Sequence, residues 1–384
     1  MNDTSPTRRL LQVAGLFLKL GTISFGGPAA HIALMEQEAV HKRGWLSREH
    51  FLDLLAAVNL VPGPNATEMA VHIGFVHAGW PGLIAGGVAF IVPAFLINLA
   101  VAMVYVRFGT LPQVTMLLYG IKPAVVAIVL AATYRLGRTA LRDRRSLVLG
   151  LACLAAALLG ANEAAVLLTA GAIGVLLYAV PQWPSLARRM MGGSLLMMAL
   201  QPAAVGSHDR LVRLGLFFFK VGALLFGSGM VLFAFIQRDV VTNYAWLTKQ
   251  QLLDAIAVGQ MTPGPVLSAA TFIGYLIAGV PGAVVSTVAI FSPSFMIIAL
   301  TGPWIPRLRR SPAAQAFLRG VNAAVVALIL SVSLTLFRSA IVDGWTALIL
   351  LAGLAALLRF QADTLWLITG GAAVGLVHYL VMRS

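Results

Sequence analysis

Shifted so that position 45 falls on position 246, this chain overlays itself. Trp45-Leu46 meets Trp246-Leu247, Asp53 meets Asp254, and Pro62-Gly63-Pro64 meets Pro263-Gly264-Pro265. After a one-residue deletion, Ile73-Gly74, Pro81-Gly82 and Pro93 meet Ile273-Gly274, Pro281-Gly282 and Pro293. Gly120 ahead of Ala124-Val125-Val126-Ala127 matches Gly320 ahead of Ala324-Val325-Val326-Ala327. A repeat of this length obliges the chain to build one unit twice, and it divides into a first repeat, 1–205, and a second, 206–384.

The unit is made for lipid. Hydrophobic residues are 59% of the 384 and charged residues 10%, a balance that a multi-span bundle needs and a soluble domain does not. Apolar runs of spanning length lie near 11–27, 82–106, 113–137, 146–160, 163–181, 211–236, 282–302, 313–337, 339–358 and 363–381. The regions 51–79 and 252–280 are interrupted by the Pro-Gly-Pro triplets, and each reads as either a crossing broken in the middle or a re-entrant hairpin. With a short run near 190–205, the expectation is an all-α polytopic membrane protein of 10 to 13 crossings. The first run follows Arg8 and Arg9 and lacks a small-residue cleavage site, so it reads as a span rather than a removed signal peptide.

Charge gives the orientation. Lys and Arg number 27 against 13 acids, a net charge of +14, with arginines gathered in short connections. This is the bias of cytoplasmic loops, and it outweighs a nucleic-acid surface as an explanation. Arg138, Arg142, Arg144 and Arg145 follow the 113–137 run, whereas Arg307, Arg309 and Arg310 precede its counterpart. The two copies of that helix therefore run in opposite directions, which predicts inverted repeats with a site near the bilayer midplane. Cys153 is alone, which excludes an internal disulfide and a cysteine metal cluster. No phosphate-binding loop or dinucleotide fingerprint is present, so no cofactor or metal is expected and energy must come from a gradient or a partner.

Lys19 and Lys220 sit inside apolar runs at matching positions. A lysine at the bilayer centre costs about 2.5 to 3.5 kcal/mol, so a matched pair suggests partners for a bound anion, with snorkelling to the interface as the plainer alternative. The triplets cannot continue a helix, and a helix starting after Pro64 or Pro265 would point its free N–H groups at an oxyanion. Gly26-Gly27 and Gly227-Ser228 supply a second pair of breaks. Packing kinks are the bland reading, but matched breaks beside matched lysines favour a site made of Lys19, Lys220, Gly26, Gly27, Gly227, Ser228, Gly63, Gly264, Ser24 and Asn65. Glu68 and His72 share a helical face with Asn65 and lack titratable counterparts in the second repeat, which makes them candidates for proton coupling or an interhelical hydrogen-bonded pair. Asp53 and Asp254 read as structural, His31, Glu36 and Glu38 as an entrance or a solvated face, and Lys122 as an interface anchor.

The motifs Ser24-Phe25-Gly26-Gly27-Pro28-Ala29-Ala30-His31-Ile32, Val61-Pro62-Gly63-Pro64-Asn65-Ala66-Thr67-Glu68, Ala78-Gly79-Trp80-Pro81-Gly82 and Phe90-Ile91-Val92-Pro93-Ala94-Phe95, with their second copies, resemble the two-domain chromate ion transporter family along almost the whole chain. Ser228 departs from the glycine often found there. The resemblance implies a secondary transporter, not an enzyme, that exports chromate from the cytoplasm across the inner membrane and confers resistance, with sulfate as a look-alike substrate. Uptake of sulfate or a related anion is the alternative, and a membrane-embedded enzyme the third reading. Lipid is the surrounding partner, no nucleic acid is expected, and a homodimer is left open.

Overall fold

In a computed structural model, the described residues are 5–25, 27–59, 61–109, 111–179, 209–301 and 311–383. The short run near 190–205 and the division at 205/206 lie outside them. Among the described residues the chain is all helical. The first repeat holds α1 (Pro6–Ile23), α2 (Pro28–Met35) running on as a π-helix (Glu36–Lys42), α3 (Arg48–Val58), α4 (Asn65–Phe108), α5 (Pro112–Ala140), α6 (Arg144–Leu158) and α7 (Glu163–Tyr178). The second holds α8 (Arg210–Leu224), α9 (Val231–Phe235) with its own π-helix (Ile236–Asn243), α10 (Lys249–Met261), a 3-10 turn (Val266–Ser268), α11 (Ala269–Thr301), α12 (Pro312–Ala340), α13 (Gly344–Arg359) and α14 (Thr364–Arg383).

α4 and α11 are each a hairpin rather than a rod. Gly79 (φ +64) and Gly279 (φ +62) take a left-handed conformation that reverses the chain. A Cβ on Gly74 would collide with the Gly82 carbonyl, and one on Gly274 with the Gly282 carbonyl, which an unbroken helix would hold about 12 Å apart. Each therefore has a short arm, about 20 Å in α4 and about 15 Å in α11, too short to cross, and a long arm that crosses.

The arms give a common depth scale. Gln12 on α1 accepts from His77 at the end of the short arm of α4 (3.1 Å), and Trp45, beyond the π-helix, stacks on His77. Gly21, deeper on α1, lies against Phe90 and Pro93, halfway along the long arm. α1 thus enters from one face and stops inside, α2 and its π-helix return to that face, and α3 with the short arm of α4 repeats the excursion. The question left open for 51–79 is settled as a re-entrant hairpin whose tip is Pro62-Gly63-Pro64. The run expected at 11–27 likewise stops at Ile23, and that at 211–236 is broken between α8 and α9.

The second repeat makes the same excursions from the opposite face. Gly87 on the long arm of α4 lies against Phe295, and Leu83, one turn earlier, clusters with Ile298. Moving back along one arm moves forward along the other, so the long arms are antiparallel and the repeats inverted. The face holding Arg8, Arg9, Lys42, Arg43 and Arg48 also receives Arg138, Arg142, Arg144 and Arg145 after α5 returns to it, which makes it cytoplasmic.

The repeats are also interlocked. α6 and α7 of the first pack on α12 of the second, and α13 and α14 of the second on α5 of the first. Glycines allow this: a Cβ on Gly120 would enter the Gly371 carbonyl and one on Gly320 the Ala170 carbonyl.

Candidate functional site

Where the four re-entrant tips arrive, the two repeats are joined through backbone. Gly63 N–H donates to the carbonyl of Leu225 at the end of α8 (2.7 Å), and Gly264 N–H donates to the carbonyl of Ser24 at the end of α1 (2.9 Å). These are the same bond made twice, because Ser24 and Leu225 occupy equivalent repeat positions. Gly63 (φ +152) and Gly264 (φ +89) have backbone that only glycine takes without strain, and no side chain caps the helices that begin at Pro28, Asn65 and Val266. The starts of these helices, carrying the positive ends of their dipoles, lie at mid-membrane depth.

The polar surroundings of the two triplets differ. Ser24 is buried, its carbonyl also accepts from His31 Nε2 (3.1 Å), and its hydroxyl has no partner. Beside Gly63, Glu68 is completely buried and neither of its carboxylate oxygens is hydrogen-bonded. Ser294 Oγ, from α11, faces the same side of Gly63 and is also unpartnered. Beside Gly264 stands Ala94 instead, and Asn98 Nδ2 donates to Thr262 Oγ1 (3.1 Å) and Ser268 Oγ (3.0 Å). His72 is buried one turn beyond Glu68 with Nε2 unpartnered. Asn65 begins α4, and its amide is spent on Asn59 Oδ1 (2.6 Å). Gly27 (φ +83) and Gly227 (φ +72) form the other two tips, with Asn322 Oδ1 close above Gly227, and Ser228 Oγ accepts from Met230 N–H (3.3 Å). Gly26 lies outside the described residues.

The structure gives each matched lysine an acid of its own. Lys19 Nζ is 2.8 Å from Glu38, and Lys220 Nζ is 2.5 Å from Asp239. Both acids sit on the π-helices and keep the repeat offset, a signal present in the sequence, where Glu38 reads as an entrance or a solvated face. The two surroundings nevertheless differ in charge. On the cytoplasmic side Lys42 (2.9 Å) and Arg43 (3.7 Å) also converge on Glu38, while on the outer side the residue equivalent to Lys42 is Asn243, whose amide donates to Asp239 (3.1 Å). A cavity of about 310 Å³ is lined by Arg238, Gln237, Asn243, Ser331 and Thr335, with Glu163 3.7 Å from Arg238.

One further ion pair, hidden from sequence reasoning, links the repeats. Lys122 of α5, expected as an interface anchor, is buried 3.0 Å from Asp254 Oδ1 of α10, off the line of a hydrogen bond, while Tyr105 donates to Oδ2 (2.6 Å). Asp254, expected as structural, thus pairs with a lysine of the other repeat.

The chromate transporter family matches this chain twice, over residues 11–175 and 212–376, one match per repeat. A chromate transport protein of Cupriavidus metallidurans is 37% identical over 99% of this chain and 96% of its own length. A probable chromate transport protein of Synechococcus elongatus is 34% identical over 92% and 90%, and a chromate transport protein of Pseudomonas aeruginosa 31% identical over 83% and 79%. No solved structure matches. With both repeats matched and full-length relatives at this identity, the chain is a multi-pass inner-membrane protein that belongs to the chromate transporter family.

Proposed function

We propose that this protein is a secondary transporter that exports chromate from the cytoplasm and so confers chromate resistance, binding the oxyanion at mid-membrane where the re-entrant tips of the two repeats meet. The observation that carries the reading is the reciprocal pair of bonds, Gly63 to Leu225 and Gly264 to Ser24, which holds uncapped helix starts from opposite faces around one place. Free N–H groups and positive dipole ends suit a tetrahedral dianion, which asks for donors and no covalent chemistry. Ser24, Asn65, Ser228 and the glycines of the tips form the immediate surroundings.

Lys19 and Lys220 belong to the two mouths and act on the anion along its path. The cytoplasmic mouth sets three cations against Glu38, whereas the outer mouth sets Lys220 against Asp239 with the neutral Asn243 in the place of Lys42. A mouth with surplus positive charge concentrates anions and a balanced one releases them, which favours capture from the cytoplasm. A membrane potential of about 100 mV, negative inside, adds about 4.6 kcal/mol for a dianion leaving the cell.

Uptake of sulfate uses the same site with the reverse direction. Everted vesicles given labelled chromate, with and without excess sulfate and with the potential collapsed, test the proposal. Accumulation that falls when the potential is removed supports export. Accumulation only in right-side-out vesicles, or of sulfate alone, would sink it. Loss of anion binding in Lys19→Gln, Lys220→Gln or the double variant tests the mouths, and unchanged binding in all three removes their role.

A further inference from the structure

We infer that the chain carries one proton with each oxyanion, in the same direction, and that Glu68 holds this proton against Ser294. The inference rests on the mid-membrane anion site proposed above.

Glu68 stands on the first turn of α4, directly behind the Pro62-Gly63-Pro64 tip. A Cβ built on Gly63 would run into Glu68 Oε1 and come within 2.5 Å of Ser294 Oγ, so an oxygen from each repeat lies on one side of that tip. All three oxygens, Glu68 Oε1 and Oε2 and Ser294 Oγ, are enclosed without a hydrogen-bond partner. The elements packed around this place offer few charges. On its own helix there is His72; on α1, Lys19, which is held by Glu38; on α2, His31, whose Nε2 is spent on Ser24; on α3, Asp53; on α10, Asp254, which is paired with Lys122; and α11 brings the Ser294 hydroxyl to the same side of Gly63.

An unpaired carboxylate so enclosed is much less stable than the acid. A dianion arriving at the neighbouring helix starts adds like-charge repulsion against the ionised form and none against the neutral one. Anion and proton therefore favour each other's binding, and thermodynamic linkage makes the effect reciprocal. Two ligands that stabilise one another in one site are carried together. The second repeat has no counterpart to the acid: Ser268 and Ala269 occupy its place, and Ala94 stands where Ser294 would be matched. One proton, not two, is thus assigned to each chain. A dianion with its proton crosses with one net negative charge, so the membrane potential drives export while an inward proton gradient opposes it.

The test is chromate binding to the purified full-length protein at increasing alkaline pH, where chromate itself carries no proton. Wild-type affinity should weaken by up to about tenfold per pH unit once Glu68 must be protonated to admit the anion. Glu68→Gln should bind with an affinity independent of pH. A flat wild-type profile, or a Glu68→Gln profile with the wild-type slope, overturns the inference and leaves the anion site standing. Absence of binding at every pH overturns the anion site and the inference with it. Ser294→Ala, the residue already present in the other repeat as Ala94, covers the case in which Glu68→Gln does not fold. It should move the pH at which affinity falls, and an unmoved midpoint counts against Glu68 as the proton carrier.

Discussion

Gly264 of the second repeat donates its backbone N–H to the carbonyl of Ser24 in the first at 2.9 Å, and Gly63 returns the bond to Leu225. Neither bond joins neighbours in sequence, yet together they fix how far each re-entrant tip reaches. A side chain at Gly264 would meet Ala94 Cβ at 2.9 Å and would have to take φ +89. Gly264→Ala should therefore cost about 1 to 3 kcal/mol in stability and most of the chromate flux. Thermal melting in detergent and vesicle transport check this, and wild-type values in both would show that the tip tolerates displacement.

The seam between α5 and α14 offers a comparison between adjacent glycines. A Cβ on Gly371 meets the Gly120 carbonyl at 2.5 Å and Ala124 Cβ at 3.2 Å, whereas one on Gly370 meets nothing within 4 Å. Gly371→Ala should lower stability by about 1 to 3 kcal/mol through overpacking, and Gly370→Ala should leave it unchanged or slightly raised. Equal melting temperatures for the two variants would contradict the interlocked arrangement.

Lys122 and Asp254 make a buried pair between α5 and α10. Removing one charge strands the other, so Lys122→Met should destabilise by about 3 to 5 kcal/mol, while Lys122→Met combined with Asp254→Leu should recover much of the loss. Denaturation of the two single variants and the double variant forms the cycle. Additive losses would show that the groups do not depend on one another.

Glu38 restrains three cations at the cytoplasmic mouth. Glu38→Gln should release them and lower the KM for chromate on the cytoplasmic side, most clearly at low salt because exposed charges are screened. Asp239→Asn, which frees a single lysine, should have a smaller effect. Transport in everted vesicles over a range of salt concentrations measures both, and a raised KM in Glu38→Gln would assign the carboxylate a different part.

Asp343 caps α13 through Thr346 N–H at 2.9 Å and accepts a hydrogen bond from Tyr119 of α5. The Thr346 backbone bond, followed by the tyrosine, holds its carboxyl below the usual range. Because the folded value is the lower one, the cap contributes fully above the unfolded pKa of about 4 and is lost as pH falls through the folded value. Asp343→Ala should cost about 1 kcal/mol at neutral pH and progressively less in acid. Melting of both proteins from neutral to acid pH should converge, and a constant gap would rule out the charged cap.

The twofold repeat, the membrane setting and the places where helices must break can all be read from the order of residues. These follow from composition and from proline and glycine, whose effects on backbone are local. That order also gives the inversion, because loop arginines record which face each connection occupies. Where the breaks bring the chain depends on packing between distant segments. Whether 51–79 crosses or turns back depends on Gly79 reversing the chain and on Gly74 meeting Gly82, a packing matter that no run of hydropathy records. The lysines were legible as a matched pair, but their acids were not recognised, since Lys19 and Glu38 meet only after α2 folds back along α1. Ser294 was invisible for the same reason: nothing about a serine after a proline marks it, until antiparallel packing of two repeats sets it beside Gly63 and Glu68.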